Sequence, residues 1–395
     1  MHSRATLDFI VSHANDDVRD LALQQKQYPD VDIAFALRQI EGRQICRKKL
    51  PAIYAIKEWY YPRHLSLEQC SSQETASYKK DILSRLLRES SGLCNDSLTI
   101  ADLTGGFGAD LFFMSDLFYR SLYIDADAEL CRLAEHNFAA CNKAVSVRHC
   151  RAEEFLDMTE PVDCIMLDPS RRDKGGNKVF YLDDCEPRVS ELYTLLHEKC
   201  RFLLLKLSPM LDMHNALRQL PHACEVHIVA VSGEVKEMLV VCDFSKEPTE
   251  EPLIHAVNLQ TTDNELIFTN KEERTAECLY ADSLCQYIYE PNAAIMKAGA
   301  FRLLSYRFNL KKLAVNSHLY TSEQLVADFP GRVFLLSGIV HPKSLHHSRY
   351  SIIARNYPLS ADQIRAKYKI GQSTDTFLIA TRLGNKPIIM EGRKL

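Results

Sequence analysis

The chain contains no CxxC pair among its thirteen cysteines; the nearest two, Cys278 and Cys285, stand seven residues apart. That absence excludes zinc-knuckle and dithiol-redox spacing and leaves no compact disulfide framework. The thiols read as small apolar side chains kept reduced. No apolar run approaches the ~18 residues of a membrane span. The opening MHSRATLDFIVSHANDDVRD breaks its apolar stretch at Ser12, His13 and Asn15, unlike a signal peptide. A cytoplasmic protein without a membrane partner is expected. No metal is expected either, since His346-His347 has no third ligand at a recognisable spacing. Internal repeats and low-complexity tracts are missing too.

What is present is ordinary in amount and uneven in distribution. At 395 residues, with 46% apolar and 25% charged side chains, the chain has length for two to four globular domains. The net charge of −4 conceals an asymmetry. Residues 243–282 hold 10 Asp/Glu against 3 Lys/Arg, a local charge of −7, whereas residues 331–395 hold 11 Lys/Arg against 3 Asp/Glu, a local charge of +8. A basic terminal module points to an anionic partner.

Residues 1–92 show helical periodicity. Ile33, Ala36, Leu37, Ile40 and Ile45 fall near one helix face, and Ile82, Leu83, Leu86 and Leu87 line another over about residues 74–88, with Ser91-Gly92 as a stop. From Leu98 the pattern becomes strand–helix alternation. Seven short apolar runs follow: LTIADL, RSLYIDA, AVSVRHC, VDCIMLD, RFLLLKL, EVHIVAV and EMLVVCDF. Near-continuous apolar strands belong in a parallel sheet covered on both faces. The last two are too close in sequence for a parallel crossover and predict an antiparallel hairpin. Residues 243–282 read as a polar linker or a small edge hairpin. An α+β tail follows, with strand QYIYE, a helix over NAAIMKAGAFRLLSYRF, a helix capped by Ser360 and Gln363, and a hairpin about Leu383-Gly384-Asn385.

The strongest chemical signal is Asp102-Leu103-Thr104-Gly105-Gly106-Phe107-Gly108, an apolar strand running into a Gly-rich turn and a helix. Glycines serve where backbone turns tightly and approaches a ligand; a plain tight turn is the alternative. Asp102 at the strand end could attract a cationic amino group. Asp125 closes the next strand, 23 residues on, where an acid can accept hydrogen bonds from ribose hydroxyls. A dinucleotide fingerprint would need a further glycine where Leu111 stands.

Asp102, Gly105-Gly106-x-Gly108, Asp125 and the terminal hairpin together resemble the class I S-adenosylmethionine-dependent methyltransferases. The resemblance covers about residues 93–245. It implies a Rossmann-like α/β fold, with a seven-stranded methyltransferase sheet whose last strand is reversed, beside a helical N-terminal domain and an α+β C-terminal region. S-adenosyl-L-methionine is then the cofactor, held by Asp102, Thr104, Gly105, Gly106, Gly108, Asp125 and Ala126. After the third strand, Ala152 and Glu153 would face the adenine, Arg151 standing where the family usually has an acid. Thr75 and Lys79, in the segment before the first strand, are further candidate contacts, with helix capping as their other reading.

Leu167-Asp168-Pro169-Ser170-Arg171-Arg172 resembles the Asp/Asn-Pro-Pro-aromatic loop of nucleobase methyltransferases, with Ser170 and Arg171 replacing the second proline and the aromatic. By that likeness Asp168 and Pro169 orient the acceptor. Cys185 is the nearest downstream thiol for a covalent variant. Arg171 and Arg172, with Lys174 and Lys178 behind them, suit substrate phosphate or a solvated loop paired with Asp183 or Asp184. The Lys206-Leu207-Ser208-Pro209 and Gly233–Glu237 segments leave strand ends on the same side.

Over the whole chain, the helical N-terminus, the Asp-Pro-Ser-Arg-Arg loop and Glu290-Pro291-Asn292-Ala293-Ala294-Ile295-Met296-Lys297-Ala298-Gly299 resemble a bacterial methyltransferase family ending in ferredoxin-like and THUMP-like domains. The implied boundaries are 1–92 helical, 93–245 methyltransferase, 246–330 linker and ferredoxin-like, and 331–395 THUMP-like. THUMP domains bind RNA, so tRNA or rRNA is the implied acceptor, contacted through Arg349, Arg355, Arg365, Lys367, Lys369, Arg382 and Lys386. A small-molecule or protein acceptor, or a non-catalytic binder on the same fold, is the alternative.

Overall fold

The computed structural model describes residues 3–90, 97–171, 182–262 and 265–395, and only the backbone of Arg171. Two compact units emerge: Met1–Ala223 with Val240–Pro248, and Cys224–Leu239 with Thr249–Leu395. No described helix is long and apolar enough to cross a membrane.

The first unit opens with helices α1 (Arg4–Ser12), α2 (Val18–Leu23), α3 (Ile33–Lys49), α4 (Pro51–Tyr54), α5 (His64–Gln69) and α6 (Gln73–Glu89). Asp32 caps α3 by accepting from the Phe35 N–H, and Ser72 caps α6 by accepting from Thr75. α6 buries Ile82, Leu83, Leu86 and Leu87, the stripe read from the sequence. The Ser91-Gly92 stop lies outside the described residues. Trp59 and Tyr61, in the loop after α4, are buried beside Phe107 and Leu67.

The alternating segment then builds β1 (Thr99–Asp102), α7 (Ala109–Met114), β2 (Arg120–Asp125), α8 (Ala128–Ala140), β3 (Val145–His149), α9 (Ala152–Met158) and β4 (Val162–Leu167). A short pair without a sequence signal, β5 (Ser170–Arg171) and β6 (Cys185–Glu186), precedes α10 (Val189–Lys199), β7 (Cys200–Leu207) and α11 (Met213–Arg218). β8 (Ala223–Val231) and β9 (Glu234–Asp243) flank Ser232-Gly233, both at positive φ, which is the geometry of a two-residue hairpin turn.

With β10 (Leu253–Leu259) and β11 (Leu266–Phe268), the sheet order is β11-β10-β8-β9-β7-β4-β1-β2-β3. β1 pairs in parallel with both β2 and β4, so the connection reverses direction between them. Ligands of open α/β sheets bind at the carboxyl ends of strands around such a switch point. β4 and β7 are buried almost throughout, as their apolar runs require. The seven expected strands form the body of the sheet. The segment expected to be a linker or edge hairpin supplies β10 and β11, an antiparallel pair whose β10 lies parallel to β8.

In the second unit, α12 (Asn270–Thr275), β12 (Tyr287–Pro291), α13 (Ala293–Ala298), α14 (Phe301–Arg307), β13 (Lys311–Lys312), β14 (Tyr320–Ser322), β15 (Gly331–Ile339), β16 (Ser351–Ala354), α15 (Ala361–Tyr368), β17 (Thr376–Leu383) and β18 (Lys386–Lys394) follow. One sheet of order β13-β14-β12-β15-β18-β17-β16 gathers their strands. The single helix expected over 292–308 is two helices. Gly299 sits at φ 81° and ends α13 in the left-handed region, which glycine adopts without a Cβ penalty. The Ser360/Gln363 capping box and the hairpin about Gly384-Asn385 are both formed.

Candidate cofactor and acceptor site

The Gly-rich turn leaves β1 at its carboxyl end and closes on itself: Gly108 N–H donates to Gly105 O at 2.8 Å, and Gly105 N–H to Ile124 O at 2.9 Å. A Cβ on Gly105 would lie 2.2 Å from the Tyr123 ring, so only glycine fits there. That fully buried ring supports the turn from beneath and donates its phenol O–H to Gly106 O at 2.6 Å. In the sequence Tyr123 reads as one more apolar strand residue, and nothing there marks this role.

Two carboxylates frame the turn. Asp125, at the end of β2, accepts from Gly106 N–H through Oδ2 and from Asp127 N–H through Oδ1, both at 2.8 Å. Burial pushes its carboxyl up, against the opposing pull of these backbone donors. Asp102 is 3% exposed and accepts from Thr104 N–H at 3.1 Å. Burial raises its carboxyl to about 8, with nearby Asp110, Asp168 and Asp125 adding to the rise. A buried acid poised near neutrality is stabilised in its ionised form by an arriving cation. This donor set fits a ligand that carries a ribose and an ammonium group.

Asp102 therefore costs stability as it ionises. Its native carboxyl keeps a proton that the unfolded chain releases above about pH 3.9, so the wild type loses stability as pH rises from there to about 8. Asp102→Asn titrates nowhere and keeps the acceptor for Thr104 N–H. The variant's unfolding midpoint should exceed the wild type's by a margin that widens between about pH 4 and pH 8. A margin that stayed flat across a pH series would contradict this.

The loop expected to orient an acceptor lies one strand away. Asp168 follows β4, and its N–H donates to Thr104 Oγ1 at 2.6 Å, tying this loop to the Gly-rich turn. The register of β4 and β7 sets Leu167 opposite Leu205, which carries the next residues, Asp168 and Lys206, into contact. Lys206 Nζ donates to Asp168 Oδ2. Sequence reading places Lys206 only on a strand end lining the cleft; the pairing register makes it the partner of Asp168. Ser170 and Arg171 form β5 against Glu186 and Cys185 of β6. Cys185 is 1% exposed, closed off from solvent. Arg172, Lys174 and Lys178 lie outside the described residues.

The remaining candidates are placed as follows. Ala126 follows β2, and its carbonyl lies 3.1 Å from His149 Nε2. Ala152 is buried at the start of α9. Arg151, the N-cap, turns its guanidinium to Glu153 at 3.4 Å and Glu186 at 3.2 Å. Thr75 is buried in the first turn of α6. Lys79 is wholly buried, with its ammonium 3.1 Å from Asp110 Oδ1 and donating to Ser71 Oγ at 3.0 Å, while Ser71 donates to Asp110 Oδ2 at 2.8 Å. Burial pushes the Asp110 carboxyl up, but Lys79 and Lys206 outweigh it and hold that carboxyl below its usual range. Asp110 sits in the first turn of α7, so this network fixes α6 to the helix that the Gly-rich turn enters.

Comparison with known proteins supports the same identity. A ferredoxin-like domain family matches residues 287–330, and a THUMP domain-like family matches 341–394. No curated protein matches the chain. A crystal structure of a Porphyromonas gingivalis W83 protein assigned as a methyltransferase is 35% identical, covers 99% of this chain and 97% of its own, and superposes with a TM-score of 0.85. A Streptococcus thermophilus rRNA methylase is 14% identical over 42% of this chain and 94% of its own, at a TM-score of 0.32. M. capricolum TrmK with S-adenosyl-homocysteine is 11% identical over 44% of this chain and 70% of its own, at 0.33. Similarity at the level of these last two says nothing of this chain's activity. The full-length likeness, the strand order and the two C-terminal domains agree: the chain belongs to the class I S-adenosylmethionine-dependent methyltransferases that end in ferredoxin-like and THUMP-like domains.

Proposed function

We propose that the protein methylates structured RNA, tRNA or rRNA, with Asp168 orienting the acceptor and residues 331–395 holding the phosphate backbone. The observation that carries the chemistry is the 2.6 Å bond from Asp168 N–H to Thr104 Oγ1, because it couples the cofactor turn rigidly to the acceptor loop. S-adenosylmethionine supplies an electrophilic methyl group. Asp125 accepts hydrogen bonds from ribose hydroxyls, Asp102 receives the amino group, and the turn from Thr104 to Gly108 with Ala126 forms the backbone cradle. Ala152 and Glu153 border the adenine. Lys79 and Thr75 act by fixing α6 against α7 and so shaping that cradle. Asp168, its rotation restrained by Lys206, accepts hydrogen from the acceptor group and aims the lone pair; Pro169 stiffens the loop, and Arg171 and Arg172 take a substrate phosphate.

Support for RNA comes from the THUMP domain-like match and the local charge of +8. Hydrogen bonds from His347 N–H to Tyr368 O and from Tyr350 N–H to Gly371 O bring segment 347–350 against 368–371. Exposed Arg349, Lys367 and Lys369 thereby share one edge of this module. Incubating tritiated cofactor with RNA, DNA and protein from cells lacking the gene tests the reading. Label is expected in RNA, and label confined to the other fractions would overturn it. Arg349→Glu with Lys367→Glu and Lys369→Glu should weaken RNA binding at least about tenfold at moderate salt. The slope of log affinity against log salt should flatten by roughly one unit for each phosphate that is no longer neutralised. Unchanged affinity and slope would remove the phosphate-binding role from this edge.

A further inference from the structure

In the second unit, β8 and β10 run in parallel with His227 and His255 in direct register. Glu225 stands two residues before His227, on the same face of β8. All three side chains are buried, and their donor atoms lie within 4.8 Å of one another. The two imidazole rings stack at 4.2 Å. Methyl transfer makes no use of any of them.

The hydrogen bonding here is incomplete in one informative place. His227 Nε2 lies 3.0 Å from Glu225 Oε2. Glu265 Oε1 lies 2.7 Å from His255 Nδ1, and since a carboxylate only accepts, that nitrogen carries the proton. The lone pair of His255 is then on Nε2, which is buried without a hydrogen-bond partner. Leaving a buried acceptor unsatisfied costs about 1–3 kcal/mol. A histidine with one nitrogen held by a carboxylate and the other buried without a partner, in a cluster of ligand groups, has the orientation that metal-binding histidines take.

We propose that Glu225, His227 and His255 bind a divalent transition metal of the zinc type, with Glu265 orienting His255. Two nitrogens and a carboxylate oxygen suit zinc and its neighbours over calcium or magnesium. Bonds of 2.0–2.2 Å place tetrahedral ligand atoms about 3.3–3.6 Å apart, a spacing the Glu225–His227 pair already approaches. The ion takes the place of the proton between that pair, and the His227 imidazole binds as the neutral tautomer with its proton on Nδ1. With ligands on two paired strands, the ion clamps β10 to β8.

The test uses the full-length chain, stripped with a chelator and titrated with Zn2+, and with Co2+ as a visible probe. Wild type should take up about one equivalent of Zn2+, gain Co2+ d–d absorption, and unfold at a higher temperature when loaded. His255→Ala should lose that absorption and the thermal gain. Glu265→Gln, which removes only the orienting carboxylate's charge, should weaken metal binding roughly 10–100-fold. Absence of uptake by wild type, or equal affinity in wild type and Glu265→Gln, would overturn the proposal. Those two proteins decide it even if His255→Ala fails to fold.

Discussion

Asp168→Ala should lower methyl transfer by roughly 10²–10⁴-fold while leaving cofactor affinity within about threefold. In the proposed reading the carboxylate serves the acceptor, whereas the bond from Asp168 to the Gly-rich turn is made by its backbone N–H, which alanine retains. Single-turnover rates with labelled cofactor measure the first effect and calorimetric titration the second. Asp125→Ala should show the reverse pattern, a large loss of cofactor affinity, because Asp125 also anchors Gly106 N–H. Wild-type turnover by Asp168→Ala would discard the acceptor-orienting role, and a parallel loss of affinity would mean that the loop serves the cofactor instead.

The largest expected loss of stability comes from Lys79→Met. Lys79 is wholly buried against Asp110, and removing one partner of a buried ion pair leaves the other charge uncompensated at a cost of about 3–5 kcal/mol. Replacing both groups, Lys79→Met with Asp110→Asn, should recover much of that loss, because no unpaired charge remains. Denaturant unfolding of the four proteins of this cycle measures the coupling directly. Additive losses would show that Lys79 contributes packing alone. The cycle should also disturb cofactor affinity, since Asp110 lies in the first turn after the Gly-rich turn.

Much of the sheet is legible because buried parallel strands must be apolar on both faces, and LTIADL, VDCIMLD and RFLLLKL show that pattern plainly. The Gly-rich turn is legible for a local reason: close approach to Tyr123 leaves no room for a side chain at Gly105. Partnerships set by strand pairing are not. Lys206 meets Asp168 only because Leu205 registers with Leu167. Glu225, His227 and His255 carry no ligand spacing in the sequence, and only the β8–β10 pairing gathers them. The break between α13 and α14 is hidden because Gly299 interrupts an apolar helical pattern that otherwise continues across it.

β15 ties the two C-terminal modules into one sheet. The strand, Gly331–Ile339, lies wholly in the gap between the two C-terminal family matches, yet it pairs with β12 on one side and β18 on the other. Neither module has a complete sheet without it. A recombination event that exchanged either module at its apparent border would leave the other with a bare nine-residue edge, open to pairing with foreign strands. The two modules are therefore structurally interdependent, with β15 as the joint they share.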